Sequence, residues 1–167
     1  MKTIKTLVSV FAIVFILAFA ASAQTSLPQL NGGSVDVQAQ RGKVVILAVG
    51  ASWLPLSEKQ AEYTNMLAKK YAGKNVAVYF VLTDSTTKPK NITSPEKINA
   101  FVAGNKLTIP VLRDSDGTAT FKKFNIDQLP SFVILGTDGL QVGKPFGGID
   151  PKSDVTAPIS SVVDKLL

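Results

Sequence analysis

Few residues of this chain could do chemistry, and what is absent excludes most reaction classes. Among 167 residues there is no cysteine and no histidine, which removes the thiolate nucleophile, the imidazole base and the ligands that structural zinc sites favour. What remains is Trp53-Leu54-Pro55-Leu56-Ser57, followed by Glu58, Gln60 and Glu62, and a short acidic turn, Asp114-Ser115-Asp116-Gly117. A serine hydroxyl needs a neighbouring base to become a nucleophile, and no histidine exists to supply one. Ser57 and Gln60 instead match S-x-x-Q, a capping box in which the two side chains satisfy the free donors of a helix start. Glu58 and Glu62 read as solvated charges on that helix. The acidic turn is too short for a calcium loop and lacks the distal glutamate. No catalytic residue, metal ligand or cofactor is assigned, and peroxide chemistry through a thiol is excluded with the cysteines. Asn91-Ile92-Thr93 matches a glycosylation acceptor, a pattern too common to carry weight.

The elements around these residues follow from periodicity. Val44 to Gly50 is an unbroken apolar run between glycines, the pattern of a strand buried on both faces, and Val76 to Leu82 is a second one. Such strands need covering layers on both sides, which predicts an α/β architecture. From Ser57 the pattern turns helical, with Ala61, Met66, Leu67 and Tyr71 on one face and Gly73 ending the run. Asn31-Gly32-Gly33 signals a hairpin. Ser94-Pro95 opens a helix with a capping hydroxyl and a proline in the first turn, its inner face being Ile98, Phe101 and Val102. Thr118 to Phe124 is weak in local helical propensity. Phe132 to Leu135 and Leu140 to Val142 are expected to pair around Asp138-Gly139, and Ile159 to Leu167 to close the chain as a helix.

Taken in order, these pieces resemble the exported thiol:disulfide oxidoreductases of the TlpA and ResA type, in the thioredoxin-like superfamily. Trp53-Leu54-Pro55-Leu56-Ser57 stands where Trp-Cys-x-x-Cys closes a strand and opens a helix. Asn31 to Val35 with Arg41 to Val45 is similar to the family's opening hairpin and central strand, Ser94-Pro95-Glu96 with Phe101-Val102 to its inserted helix, and Leu107 to Leu112 to the segment after it. Leu129-Pro130-Ser131-Phe132-Val133-Ile134 resembles its cis-proline strand, and Thr137-Asp138-Gly139 its hairpin turn. The resemblance implies a thioredoxin-like fold, a central mixed β-sheet with helices on both faces and an N-terminal β-hairpin. Only through the resemblance is Thr118 to Phe124 expected as a short helix. It also implies that Leu54 holds the attacking position and Ser57 the resolving one, so both thiols are lost. The carboxylate expected five residues before the tryptophan is replaced by Ala48. A retained peptide groove would be lined by Trp53, Leu54, Pro55, Leu129 and Pro130, provided the Leu129-Pro130 bond is cis. Trp53 reads equally as loop packing or as a partner contact. Leu54 either exposes apolar surface or is covered by Phe146 or another loop.

The first 23 residues read as a signal peptide: Lys2 and Lys5, an apolar stretch from Leu7 to Ala21, and Ala21-Ser22-Ala23 as cleavage site. That stretch is short of the roughly 20 residues of a spanning helix, so a membrane association is expected only if the leader stays uncleaved. Residues 24–167 are expected to form one thioredoxin-like domain, within the usual size of about 100–200 residues, exported to the periplasm or secreted. Without Lys2 and Lys5 the chain has 16 basic against 12 acidic residues, a net +4. The basic residues are dispersed and not clustered on one element, so nucleic acid is not expected as a partner. The expectation is an exported, redox-inactive thioredoxin-like protein, not a thiol enzyme, that binds an unidentified protein or peptide through the old redox groove. The alternatives are a non-catalytic subunit or divergent member of a thiol-disulfide oxidoreductase system, and a purely structural or oligomerisation domain.

Overall fold

The computed structural model describes residues 25–167, and the expected leader lies outside the described residues. The turn at Asn31-Gly32-Gly33 joins β1 (Ser26–Pro28) to β2 (Ser34–Asp36), an antiparallel pair with Leu27 opposite Val35. Gly32 and Gly33 both have positive φ, 94° and 77°, a region that costs glycine nothing. The run from Val44 to Gly50 is β3, with all seven residues buried, and Val76–Leu82 is β4. Between them α1 covers Ser57–Lys70. Next come α2 (Pro95–Gly104), β5 (Val111–Arg113), β6 (Ser131–Leu135), β7 (Phe146–Gly147) and α3 (Thr156–Val163).

The five-stranded sheet runs β5-β4-β3-β6-β7, with β3, β4 and β5 parallel and β6 and β7 antiparallel to their neighbours. The N-terminal hairpin covers the β5 edge: Gln29 bridges to Leu112, and the Leu30 N–H donates to the Val111 carbonyl at 2.9 Å. An edge covered in this way offers no template for further strands.

Because side chains alternate along a strand, β3 feeds two cores. Val44, Ile46 and Ala48 join Leu67 and Tyr71 of α1, Phe101 of α2 and Ile159 of α3. Val45, Leu47 and Val49 face the other way, against Leu27 and Val37 of the hairpin region and Phe124 and Ile126. The α/β class, the mixed sheet and the N-terminal hairpin stand, but the expected helices on both faces do not. Helices α1, α2 and α3 all pack on the first core, and the second is covered by the hairpin region and the segment around Phe124. Further details also differ. Thr118 to Phe124 is a chain of turns and not a helix. Asp114 accepts the N–H groups of Ala119 and Thr120 at 3.0 and 2.9 Å, and such side-chain capture competes with a helical ladder. Met66 is exposed, and the buried side of α1 consists of Ser57, Gln60, Ala61, Tyr63, Thr64 and Leu67. Finally, α3 begins three residues earlier than expected, where Asp154 accepts both the N–H and the hydroxyl of Thr156 at 2.8 and 2.6 Å. Among the described residues no helix is long and apolar enough to cross a membrane.

One polar link fastens α1 to the C-terminal segment. The Tyr71 hydroxyl donates to Asp164 Oδ1 at 2.8 Å, and Lys70 Nζ lies 3.2 Å from Oδ2. The Tyr71 hydrogen bond first, and then Lys70, hold the Asp164 carboxyl below its ordinary value of 3.8. A carboxyl depressed by folding contributes stability above its unfolded pKa, and the contribution is lost as pH falls through the folded pKa. Asp164→Asn is therefore expected to melt below the wild type at neutral pH. Thermal unfolding across an acid series should show the difference closing below that ordinary value of 3.8.

Candidate functional site

The segment from Trp53 to Ser57 lies between the end of β3 and the first turn of α1, folded into tight turns. The Leu54 N–H donates to the Ala51 carbonyl at 3.1 Å, and the Ser57 N–H to the Leu54 carbonyl at 3.0 Å. Trp53 is 48% exposed, and Pro55 is exposed as well. Leu54 and Leu56 are half-buried and belong to neither core, whereas Phe146 packs on the helical-side core. The turn thus presents apolar residues outward.

The expected capping box does not form. The residue capping α1 is Leu56, without a side-chain hydrogen bond, and Ser57 and Gln60 are both fully buried. Ser57 Oγ accepts the Ala51 N–H at 3.4 Å. Gln60 Nε2 donates to the carbonyls of Val49 and Ser131 at 3.1 and 2.7 Å, so this one amide ties α1 to the ends of β3 and β6. The physical reason is burial: the Nε2 group, shut away from water, takes its acceptors from the backbone, while Oε1 is left without a partner among the described residues. Gly50 leaves the room for it, since a Cβ there would sit 2.3 Å from Gln60 Oε1.

Ser131 directly follows Pro130, so Gln60 also fixes the end of the proline loop against α1. The Leu129-Pro130 bond is cis. Pro130 is buried, and Leu129 is half-buried against the hairpin-side core. Two clefts flank the segment. One, of about 410 Å³, lies between Ser52-Trp53 and residues 90–93 with Lys97. The other, of about 560 Å³, lies beside Pro55 and Leu56 and is walled by Glu62, Asn65, Lys106 and Pro151. Neither is lined by Leu54, Leu129 or Pro130.

Strand register supplies an acid that the sequence reading missed. Ala48 is buried and brings no carboxylate, but Gly50 pairs with Leu82, and Leu82 with Arg113. Two residues beyond the strand ends, Asp84 therefore stands beside Ser52. It is fully buried. The Ser52 N–H donates to its two oxygens at 3.2 and 3.0 Å, and the Ser52 hydroxyl also donates to Oδ1. Arg113 Nη2 donates to the Asp84 carbonyl at 3.1 Å, and Nη1 lies 3.7 Å from Oδ2. The available signal was an acidic residue just past an all-apolar strand parallel to β3.

The arrangement holds a loop; it does not activate a nucleophile. Ser52 and Ser57 both have oxygen atoms committed to internal hydrogen bonds, and the chain has no histidine to take a proton. Glu62 pairs with Lys59 at 2.7 Å in solvent, and Glu58 is exposed. Among the described residues no group of three or more carboxylates is placed to hold a metal ion.

Compared with known proteins, residues 20–164 match the model of the AhpC/TSA family. The thioredoxin-like protein YneN of Bacillus subtilis is 30% identical over 115 residues, which are 69% of this chain and 63% of that protein. The match thus spans less than two thirds of that relative's length. Among solved structures, the exposed lipoprotein thioredoxin Etrx1 of Streptococcus pneumoniae superposes with a TM-score of 0.68 at 22% identity, over 86% of this chain and all of that one. A secreted disulfide oxidoreductase of Mycobacterium tuberculosis, homologous to DsbE of E. coli, gives 0.62 at 20% identity, over 83% and 96% of the two chains. At those identities the likeness is one of fold.

Proposed function

This chain belongs to the AhpC/TSA family, and from that premise we propose that it is an exported, redox-inactive thioredoxin-like protein that binds a polypeptide through the face its ancestors used for thiol chemistry. Thiol-disulfide exchange needs a thiolate to attack, and the chain has no cysteine. The observation that carries the reading is an exposed apolar turn at the position of the redox motif, held on buried polar anchors and lacking a thiol. Asp84 pins Ser52, Gln60 locks the start of α1 to the strand after Pro130, and Trp53 and Pro55 stay exposed between these anchors. Large aromatic side chains held rigidly at the surface are favoured in contacts with proteins.

Export is supported by the leader pattern in residues 1–23 and by two relatives of the same fold described as exposed or secreted. Residues 24–167 are proposed as the exported domain.

In an insulin reduction assay with a chemical reductant, the purified protein is expected to give only the background rate. Reduction above background, removed by substitution of Leu54 or Ser57, would end this reading.

A further inference from the structure

The cleft between Trp53 and the start of α2 has a charge character of its own. Its apolar walls are Trp53 and Ile92, 48% and 54% exposed, and its polar rim carries Lys90 and Lys97 but no aspartate or glutamate. Lys88, two residues before Lys90, is neutralised by Asp116 at 3.2 Å. Lys90 and Lys97 have no ion pair among the described residues. Glu96, the acid nearest in sequence, is turned to Ser94, whose hydroxyl holds that carboxyl below its ordinary value. The Trp53 wall is fixed from behind by the hydrogen bonds of Ser52 to Asp84. The cleft therefore offers an apolar surface beside two ammonium groups that have no ion pair among the described residues.

We propose that the polypeptide bound at this face is an acidic one, presenting a carboxylate beside an apolar side chain, and that Lys90 and Lys97 with Trp53 and Ile92 select it. The inference rests on the polypeptide-binding reading above. At about 410 Å³, the cleft is at the small end of the range of roughly 300–1,000 Å³ for ligand sites. It takes one or two side chains of an extended segment, not a folded element. A carboxylate arriving here is partly desolvated by the aromatic wall while it pairs with the lysines, and a basic segment is repelled. The net +4 of residues 24–167 steers acidic partners inward. The same charge disfavours a second copy of this chain as the occupant.

Trp53 is the single tryptophan, so its emission reports occupancy directly. The probes are three short unstructured, tryptophan-free peptides with the same leucine-valine core, flanked by glutamate, glutamine or lysine. The glutamate peptide is expected to bind roughly three- to tenfold more tightly than the glutamine peptide, the scale of two partly exposed ion pairs. That margin should vanish in Lys90→Gln/Lys97→Gln and shrink in high salt. Equal binding of the glutamate and glutamine peptides would overturn acidic selection while leaving polypeptide binding standing. A preference that survives in the double variant would overturn the assignment to this cleft. If none of the three peptides binds by emission or by calorimetry, both readings fall.

Discussion

Asp84→Ala is expected to lower the free energy of unfolding by about 3–5 kcal/mol, the usual cost of removing one partner from a buried ion pair. Asp84 is fully buried, and the Arg113 side chain is 17% exposed, so alanine takes the counter-charge from a largely desolvated guanidinium and leaves it the backbone carbonyl of residue 84. Ser52 loses the acceptor of its N–H and of its hydroxyl in the same step. Urea denaturation followed by far-UV circular dichroism measures the loss. Asp84→Leu combined with Arg113→Met should recover much of it, because an apolar pair of similar volume avoids the desolvation cost of both charges. A loss below about 1 kcal/mol, the scale of an exposed pair, would show that this network does not hold the Trp53 loop.

The second large effect is expected at Gln60. Gln60→Leu keeps the approximate volume but leaves the carbonyls of Val49 and Ser131 without its donor, at about 1–3 kcal/mol for a buried group left unpaired. Gly50→Ala attacks the same bolt from the other side, since the added Cβ would lie 2.3 Å from Gln60 Oε1 and 2.9 Å from Ser57 Oγ. Neither residue can step aside easily, because both are fully buried. Gln60→Ala and Gly50→Ala should be strongly non-additive, as expected for residues that share one space. With Gln60 shortened to alanine, Gly50→Ala should cost much less than it does alone. Full additivity in equilibrium unfolding would mean that Gly50 and Gln60 do not meet.

Much of the fold was legible because it depends on apolar pattern and backbone chemistry. Val44–Gly50 and Val76–Leu82 are strands over the whole of their apolar runs, the Asn31-Gly32-Gly33 turn closes its hairpin, and Ser94 caps α2 through the Lys97 N–H at 3.4 Å. What escaped depends on where polar side chains point. The S-x-x-Q spacing of Ser57 and Gln60 is shared by a surface cap and by two inward side chains, and only the packing of β3 against β6 decides between them. Asp84, just past the end of β4, is brought beside Ser52 only by strand register. Thr118 to Phe124 failed as a helix because Asp114, lying before it in the chain, captures its first amides. Met66 was misplaced because it neighbours Leu67, whose side of α1 is the buried one. The motif at Trp53–Ser57 was visible as an outline, but the two clefts beside it came from the segments that the tertiary fold brings near, around Ile92 and around Pro151.

The most direct test of the central claim is photo-crosslinking from position 54 of the full-length protein in its own host, with position 69, on the far end of α1, as control. A discrete polypeptide adduct from position 54, absent from position 69 and abolished by Trp53→Ala, is the predicted result. No adduct from position 54 in folded, exported protein, or the same species captured from both positions, would contradict the claim that the old redox face is a binding site.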